Sequence, residues 1–141
     1  KPHDWCLGSQ YWGRTPHVQG YFARYGILLD MVGGKGGTFY YEPYSYRTAR
    51  KEVKKIWNKA HELGYGNYFI KQDGSEVLDD HLYVNQLARI PCVDIINYDP
   101  VYENSSFGPT WHTVNDNISN IDRNTLKAVG QTVMDVIYNE K

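Results

Sequence analysis

Three stretches of this chain carry residue types that bind metals or move protons. Asp30 closes an apolar run, Asp79-Asp80-His81 opens a helical stretch, and Trp111-His112-Thr113 lies in a long polar loop. A loop imidazole between an aromatic ring and a threonine can offer a nitrogen to Zn²⁺. Paired carboxylates can bind a substrate amine or share a proton. Each has an ordinary explanation when taken alone. An Asp at a strand end is usually a turn or cap residue, an Asp pair before a helix is a cap, and a lone loop histidine is a surface residue. Chemistry requires that the fold bring them together.

The elements around them alternate. Tyr25 to Val32 is a short apolar run bounded by glycine, as expected of a strand buried on both faces. The following Gly33-Gly34-Lys35-Gly36-Gly37 lacks the Gly-Lys-Ser/Thr of a phosphate loop and is expected to be a turn. Ala49, Val53, Ile56, Trp57, Ala60 and Leu63 recur at helical spacing, predicting one helix from Ser45 to Leu63 with Gly64 as its cap. His61, near that helix's end, favours the dipole and reads as a surface residue rather than a ligand. A short strand is expected over Asn67 to Lys71 and a turn over Gln72 to Ser75. Asp79 or Asp80 then caps a helix through Ala88, and Cys92 to Ile96 reads as a second buried strand. Asp122 caps a last helix with Leu126, Val129, Val133, Val136 and Ile137 on its apolar face. This alternation predicts an α/β fold in three layers with a mostly parallel central sheet. In such sheets ligands bind beyond the carboxyl ends of the strands, where Asp30, Asp79 and the loop carrying Trp111 and His112 all fall.

Composition narrows the partners. The chain has 141 residues, enough for one domain with one core, and its 41% hydrophobic content is that of a globular protein. A formal net charge of −1 gives no reason to expect nucleic acid or an anionic membrane as partner. No apolar run approaches the roughly 18–20 residues of a membrane helix. The N-terminus, Lys1-Pro2-His3-Asp4-Trp5, is no signal peptide and reads like an entry in mid-domain. Cys6 and Cys92 lack metal-ligand spacing; packed free thiols are the default, with a disulfide left open. His3 and His17 are expected to be exposed. His81 is expected to pack beneath the site without an assigned role. Asp94 interrupts an apolar strand, and a buried carboxylate there needs partners or a raised pKa.

Leu28-Leu29-Asp30-Met31-Val32-Gly33, then Asp79-Asp80-His81 with Arg89-Ile90-Pro91 after it, then Phe107-Gly108-Pro109-Thr110-Trp111-His112-Thr113-Val114-Asn115-Asp116-Asn117 with Asn120-Ile121-Asp122, form an ordered set covering Ile27 to about Ile137. The set resembles the zinc-dependent glutaminyl cyclases, relatives of the zinc aminopeptidases with a phosphorylase/hydrolase-like exopeptidase fold. The resemblance implies that His112 is the C-terminal zinc ligand. It implies that Asp79 and Asp30 belong to an acid network orienting the substrate amine and carrying its proton, and that Trp111 and Phe107 wall the pocket for a glutamine side chain. The substrate would be an N-terminal glutaminyl peptide, converted to pyroglutamyl peptide with loss of ammonia. Two features depart from the pattern: animal cyclases carry a histidine where this chain has Asp94, and the loop before Phe107, with Tyr98 and Tyr102, is longer.

In the family the remaining zinc ligands, an Asp and a Glu, and the catalytic Glu precede the region seen here. Asp4 is the only acid before Asp30. The expectation is therefore a C-terminal half, residues 1–141, of one catalytic domain, inactive without its N-terminal half. A two-zinc aminopeptidase is the alternative, with Asp30 on a second zinc. That group usually shows Ser-Asp-His and Tyr-His-Thr where this chain has Asp79-Asp80-His81 and Trp111-His112-Thr113. A degenerate, non-enzymatic peptide-binding module is a third reading. Relatives are usually exported, so a periplasmic or secreted location is expected.

Overall fold

The computed structural model describes residues 4–140; His3 lies outside them. In chain order the elements are α1 (Leu7–Arg14), β1 (Gly26–Asp30), β2 (Phe39–Tyr41), α2 (Pro43–Thr48), α3 (Arg50–Glu62), β3 (Phe69–Asp73) and α4 (Asp80–Tyr83). A π-helical turn (Val84–Ala88) prolongs α4, β4 (Cys92–Ile96) follows, and a 3₁₀ turn (Ile118–Asn120) precedes α5 (Arg123–Tyr138). The fold is α/β with parallel strands. β1 pairs with β4 from Gly26↔Cys92 to Asp30↔Ile96, and β2 pairs with β3. An antiparallel bridge between Phe39 and Asn97, with the Tyr98 N–H donating to the Thr38 carbonyl, ties the two pairs together.

All five residues of β4 are buried, Asp94 included, as expected of a strand covered on both faces. Side chains alternate across a strand. Val93 and Ile95 join Val53, Ile56 and Trp57 of α3 and Val129 and Val136 of α5 in the core. Asp94, between them, turns to the opposite face, where α4 packs with α1 outside it and α2 beside it. Trp57 is fully buried, and its indole N–H donates to the Phe39 carbonyl at 3.1 Å, so the largest core side chain also fixes β2. Among the described residues no helix is long and apolar enough to cross a membrane.

Several boundaries differ from expectation. The helix predicted from Ser45 to Leu63 is two. Glu42 caps α2 ahead of Pro43, and at Ala49 the backbone leaves helical geometry (φ −134°) before α3 starts. The apolar repeat reads straight through because Ala49 stays in the core. Gln72 and Asp73, expected in a turn, belong to β3. Leu126 and Ile137 are 43% and 49% exposed, so the apolar face of α5 is buried only in part. Helix α1 was not anticipated, because it buries Gln10 and Gly13 and exposes Leu7 and Tyr11, the reverse of an amphipathic signal. Gly13 is needed there: a Cβ would lie 2.8 Å from Cβ of Leu87 in the π turn.

Candidate active site

Strand β1 delivers Asp30 to its carboxyl end, where Met31 follows in the left-handed region (φ 52°). Asp79 arrives differently. It is the N-cap of α4, and its Oδ1 accepts the Asp80 N–H at 2.7 Å. The cap role, left open between the two acids, thus falls to Asp79, which also lines the main cavity. Asp80 lines a separate hollow beside Trp12 and Cys92. The main cavity, about 640 Å³, is walled by Asp30, Asp79, Phe107, Trp111 and His112, together with Trp5. Every residue expected to form the site lies on this one cavity.

The two carboxyl groups interact. Burial raises the Asp30 pKa, and the charge of Asp79 and a hydrogen bond with it raise it further, against a Met31 N–H that favours the ionised form. Burial and the neighbouring negative charge thus favour the protonated form of Asp30. The Cys6 thiol lies 3.9 Å from Asp79 Oδ1. Burial, with the charges of Asp80 and Asp79, pushes that thiol up to about 12, so it stays protonated and inert as a nucleophile. Both cysteines are free thiols, and Cys92 is buried.

Beneath the pair lies a buried array in which sequence reasoning had seen only two members. His81 is fully buried, with Nε2 3.0 Å from Glu42 Oε2 and Nδ1 3.5 Å from Asp94 Oδ2. Glu42 is saturated: Oε1 accepts the N–H groups of Tyr44 and Val77, and Oε2 that of Ser45. Burial opposes its charge, but the His81 bond and the backbone donors prevail and hold its pKa at about 2. Since Glu42 is ionised, His81 Nε2 donates to it. Asp94 is the opposite case. Neither carboxyl oxygen has a hydrogen-bond partner among the described residues, and burial with the nearby charges of Asp79, Glu42 and Asp30 pushes its pKa up to about 9. It is a neutral acid at pH 7. The signal for Glu42 was present in the sequence: an acid directly before Pro43 marks a capped helix start, hidden by the misplaced boundary.

The rim is one long loop. Asn97 anchors it: Oδ1 accepts the Thr38 N–H at 3.2 Å and Nδ2 donates to the Phe107 carbonyl at 2.9 Å. At its far end Asp122 N–H donates to the Gly33 carbonyl and Lys35 N–H to that of Asn120, tying the rim to the glycine-rich turn. Phe107 packs on Trp111 with ring centres 5.0 Å apart, and Trp111 stacks on His112 at 4.0 Å. His112 itself is held at φ 56°, a conformation sparsely adopted by non-glycine residues and common where a ligand group must be aimed.

Zinc fits this rim in part. Among the described residues no hydrogen bond occupies either His112 ring nitrogen, so the imidazole is available as a ligand beside an acidic cavity. The side chains that do converge within metal-binding distance are Cys6, Asp79 and Asp80, without His112. The described residues therefore offer one unengaged histidine at the rim and not a complete zinc site. His61 and His17 are not candidates: His61 Nε2 is 2.7 Å from the Phe69 carbonyl, and His17, exposed, accepts from Trp12.

The profile of peptidase family M28 matches residues 3–137. The chain belongs to peptidase family M28. Solved relatives of this M28 chain include a Tannerella forsythia glutaminyl cyclase, at 60% identity and a TM-score of 0.95 over 100% of this chain and 48% of that one. A Bacteroides thetaiotaomicron glutaminyl cyclase, bound to N-acetylhistamine, has 58% identity and a TM-score of 0.96 over 100% and 47%. A Bacteroides vulgatus protein assigned as a Zn-dependent exopeptidase has 72% identity and a TM-score of 0.82 over 97% and 48%. The M28 chain thus spans about half the length of these solved relatives.

Proposed function

We propose that this chain forms the C-terminal half of a zinc-dependent glutaminyl cyclase domain, taking N-terminal glutaminyl peptides and releasing ammonia. The observation that carries the reading is the convergence of Asp30, Asp79, His112, Trp111 and Phe107 on one cavity, where burial and Asp79 raise the Asp30 pKa. The glutaminyl cyclases among its relatives support it. His112 would be the zinc ligand from this chain, the remaining ligands and the catalytic Glu coming from the other half of the domain. Bound there, zinc supplies Lewis-acid polarisation of the γ-amide carbonyl.

The chain's own residues do the rest. Phe107 and Trp111 exclude water from the glutamine side chain and hold its amide near the substrate's α-amine, which is already tethered to it. As the amine nitrogen bonds to the γ-carbon, it loses a proton, and the departing amide nitrogen gains one to leave as ammonia. Asp30, held toward its protonated form beside Asp79, and Asp79 steady the amine and carry that transfer. Export to the periplasm or beyond is part of this reading.

Hydrolysis is the competing reading, favoured by the exopeptidase among the relatives. There Asp30 would bind a second zinc as a full carboxylate. The intact protein decides between them: it should bind one zinc per chain, release ammonia from a glutaminyl peptide and leave alanyl and leucyl peptides uncut. Two tightly bound zinc ions with release of free amino acids would overturn the cyclase reading. Peptide binding without turnover would point to a degenerate binding module.

A further inference from the structure

Glu42 holds the chain on both sides of Asp79. Its Oε1 accepts the Val77 N–H at 3.2 Å, and its Oε2 faces His81 Nε2 at 3.0 Å; each partner is two residues from Asp79. The segment leading into α4 has no regular structure, and Val77 and Leu78 form part of the cavity wall with Asp79. Without an anchor, this stretch would place Asp79 loosely. The anchor is itself rigid. Glu42 is 2% exposed and is fixed to the start of α2 by the N–H groups of Tyr44 (3.0 Å) and Ser45 (2.6 Å). Ser45 in turn accepts the backbone N–H of Asp94 in β4 at 3.0 Å, so the clasp is referenced to the strand pair that carries Asp30. The Tyr44 ring meets His81 edge-on at 5.6 Å and limits its swing.

We propose that Glu42 is the positioning residue for Asp79, a carboxylate clasp that binds the chain before and after it and thereby sets its place against Asp30. The consequence for turnover rests on the role proposed for Asp79 above; the clasp itself does not. Glu42 does not line the cavity, so it acts on the site only through the segment it holds. A carboxylate is required because all four of its contacts are donors, and a glutamine amide would turn an N–H toward another N–H.

The test uses the intact enzyme with Glu42→Gln, Asp79→Asn and the double variant. Glu42→Gln should lower kcat about tenfold or more, with KM and zinc content nearly unchanged. The double variant should be no slower than Asp79→Asn, since a clasp has nothing left to position. Multiplying effects, or a change confined to KM, would overturn the proposal. Hydrogen exchange gives a readout independent of activity. The Val77 and Leu78 amides should exchange faster in Glu42→Gln while β4 stays protected. Unchanged exchange at Val77 would overturn the clasp. If Asp79→Asn is fully active, the proposed role of Asp79 fails instead, and exchange alone decides the clasp. Should Glu42→Gln not fold, His81→Phe fills the same space, breaks the downstream contact and is read by the same double-variant comparison.

Discussion

The rim of the cavity and the buried floor layer behind its wall are built on opposite principles. The floor, formed by Glu42, His81 and Asp94, is buried and referenced to α2, α4 and β4. The rim, from Asn97 to Ile121, is mostly exposed, and its ties are local turns plus a few bonds to the glycine-rich turn. Buried polar groups are costly to disturb, because each lost partner leaves a desolvated charge or dipole. Exposed turns carry little folding energy. Stability and substrate chemistry are thereby separated: changes at the rim should cost activity, and changes at the floor should cost stability as well.

His112→Ala is the sharpest trial of that separation. On the proposed reading it removes a zinc ligand, so activity of the intact enzyme should fall by more than about 100-fold and zinc should dissociate. Its unfolding temperature without metal should stay near that of the parent. A large loss of apo stability would place His112 with the floor.

Asp79→Asn stands between the two regions, on the cavity but held by the floor. Proton-transfer groups typically contribute about 10²–10⁴-fold, so kcat should drop on that scale with little change in KM. Asp80→Asn, facing the other hollow, should retain most activity. The reverse ranking would exchange their roles.

The floor should declare itself in the pH dependence of stability, with opposite signs from its two acids. Glu42 is held at about 2 against an ordinary 4.5, so its contribution, about 3 kcal/mol, is present above pH 4.5 and is lost as pH falls toward 2. Asp94 is raised from 3.8 to about 9, so the folded chain binds more protons than the unfolded chain between those values. Its contribution is present below pH 4 and is lost as pH rises toward 9. Denaturant titrations of the intact enzyme should show Glu42→Gln flattening the acid limb and Asp94→Asn flattening the alkaline one. An Asp94→Asn variant with an unchanged alkaline slope would show that Asp94 ionises normally.

The smallest effect belongs to Phe107→Ala. Loss of the Phe107–Trp111 pair should cost about 0.5–1.5 kcal/mol of stability at most, and on the proposed reading loss of the same ring from the pocket wall should raise KM by roughly threefold to tenfold.

The cavity wall was largely legible in the sequence and the floor was not. Asp30, Asp79, Phe107, Trp111 and His112 announce themselves through motif order, and all of them meet on one cavity. Asp94 was visible as an acid within an apolar strand, and His81 as a packed ring without a role. Their connection ran through Glu42, whose significance depended on a helix break at Ala49 that hydrophobic periodicity does not register. Periodicity reports which face is buried, and Ala49 is buried on either side of the break. Helix α1 escaped for the complementary reason, since its buried positions are a glutamine and a glycine.

Asn97 uses its whole amide, the oxygen toward Thr38 and the nitrogen toward Phe107. Among substitutions at this position, the closest in shape is therefore not the mildest. Aspartate would present an oxygen and a charge to the Phe107 carbonyl, whereas alanine merely leaves both contacts unmade. A mutational scan of position 97 should rank aspartate below alanine, an order that similarity of side chains would reverse. Drift from asparagine to aspartate, one nucleotide away, is closed where the rim joins the sheet.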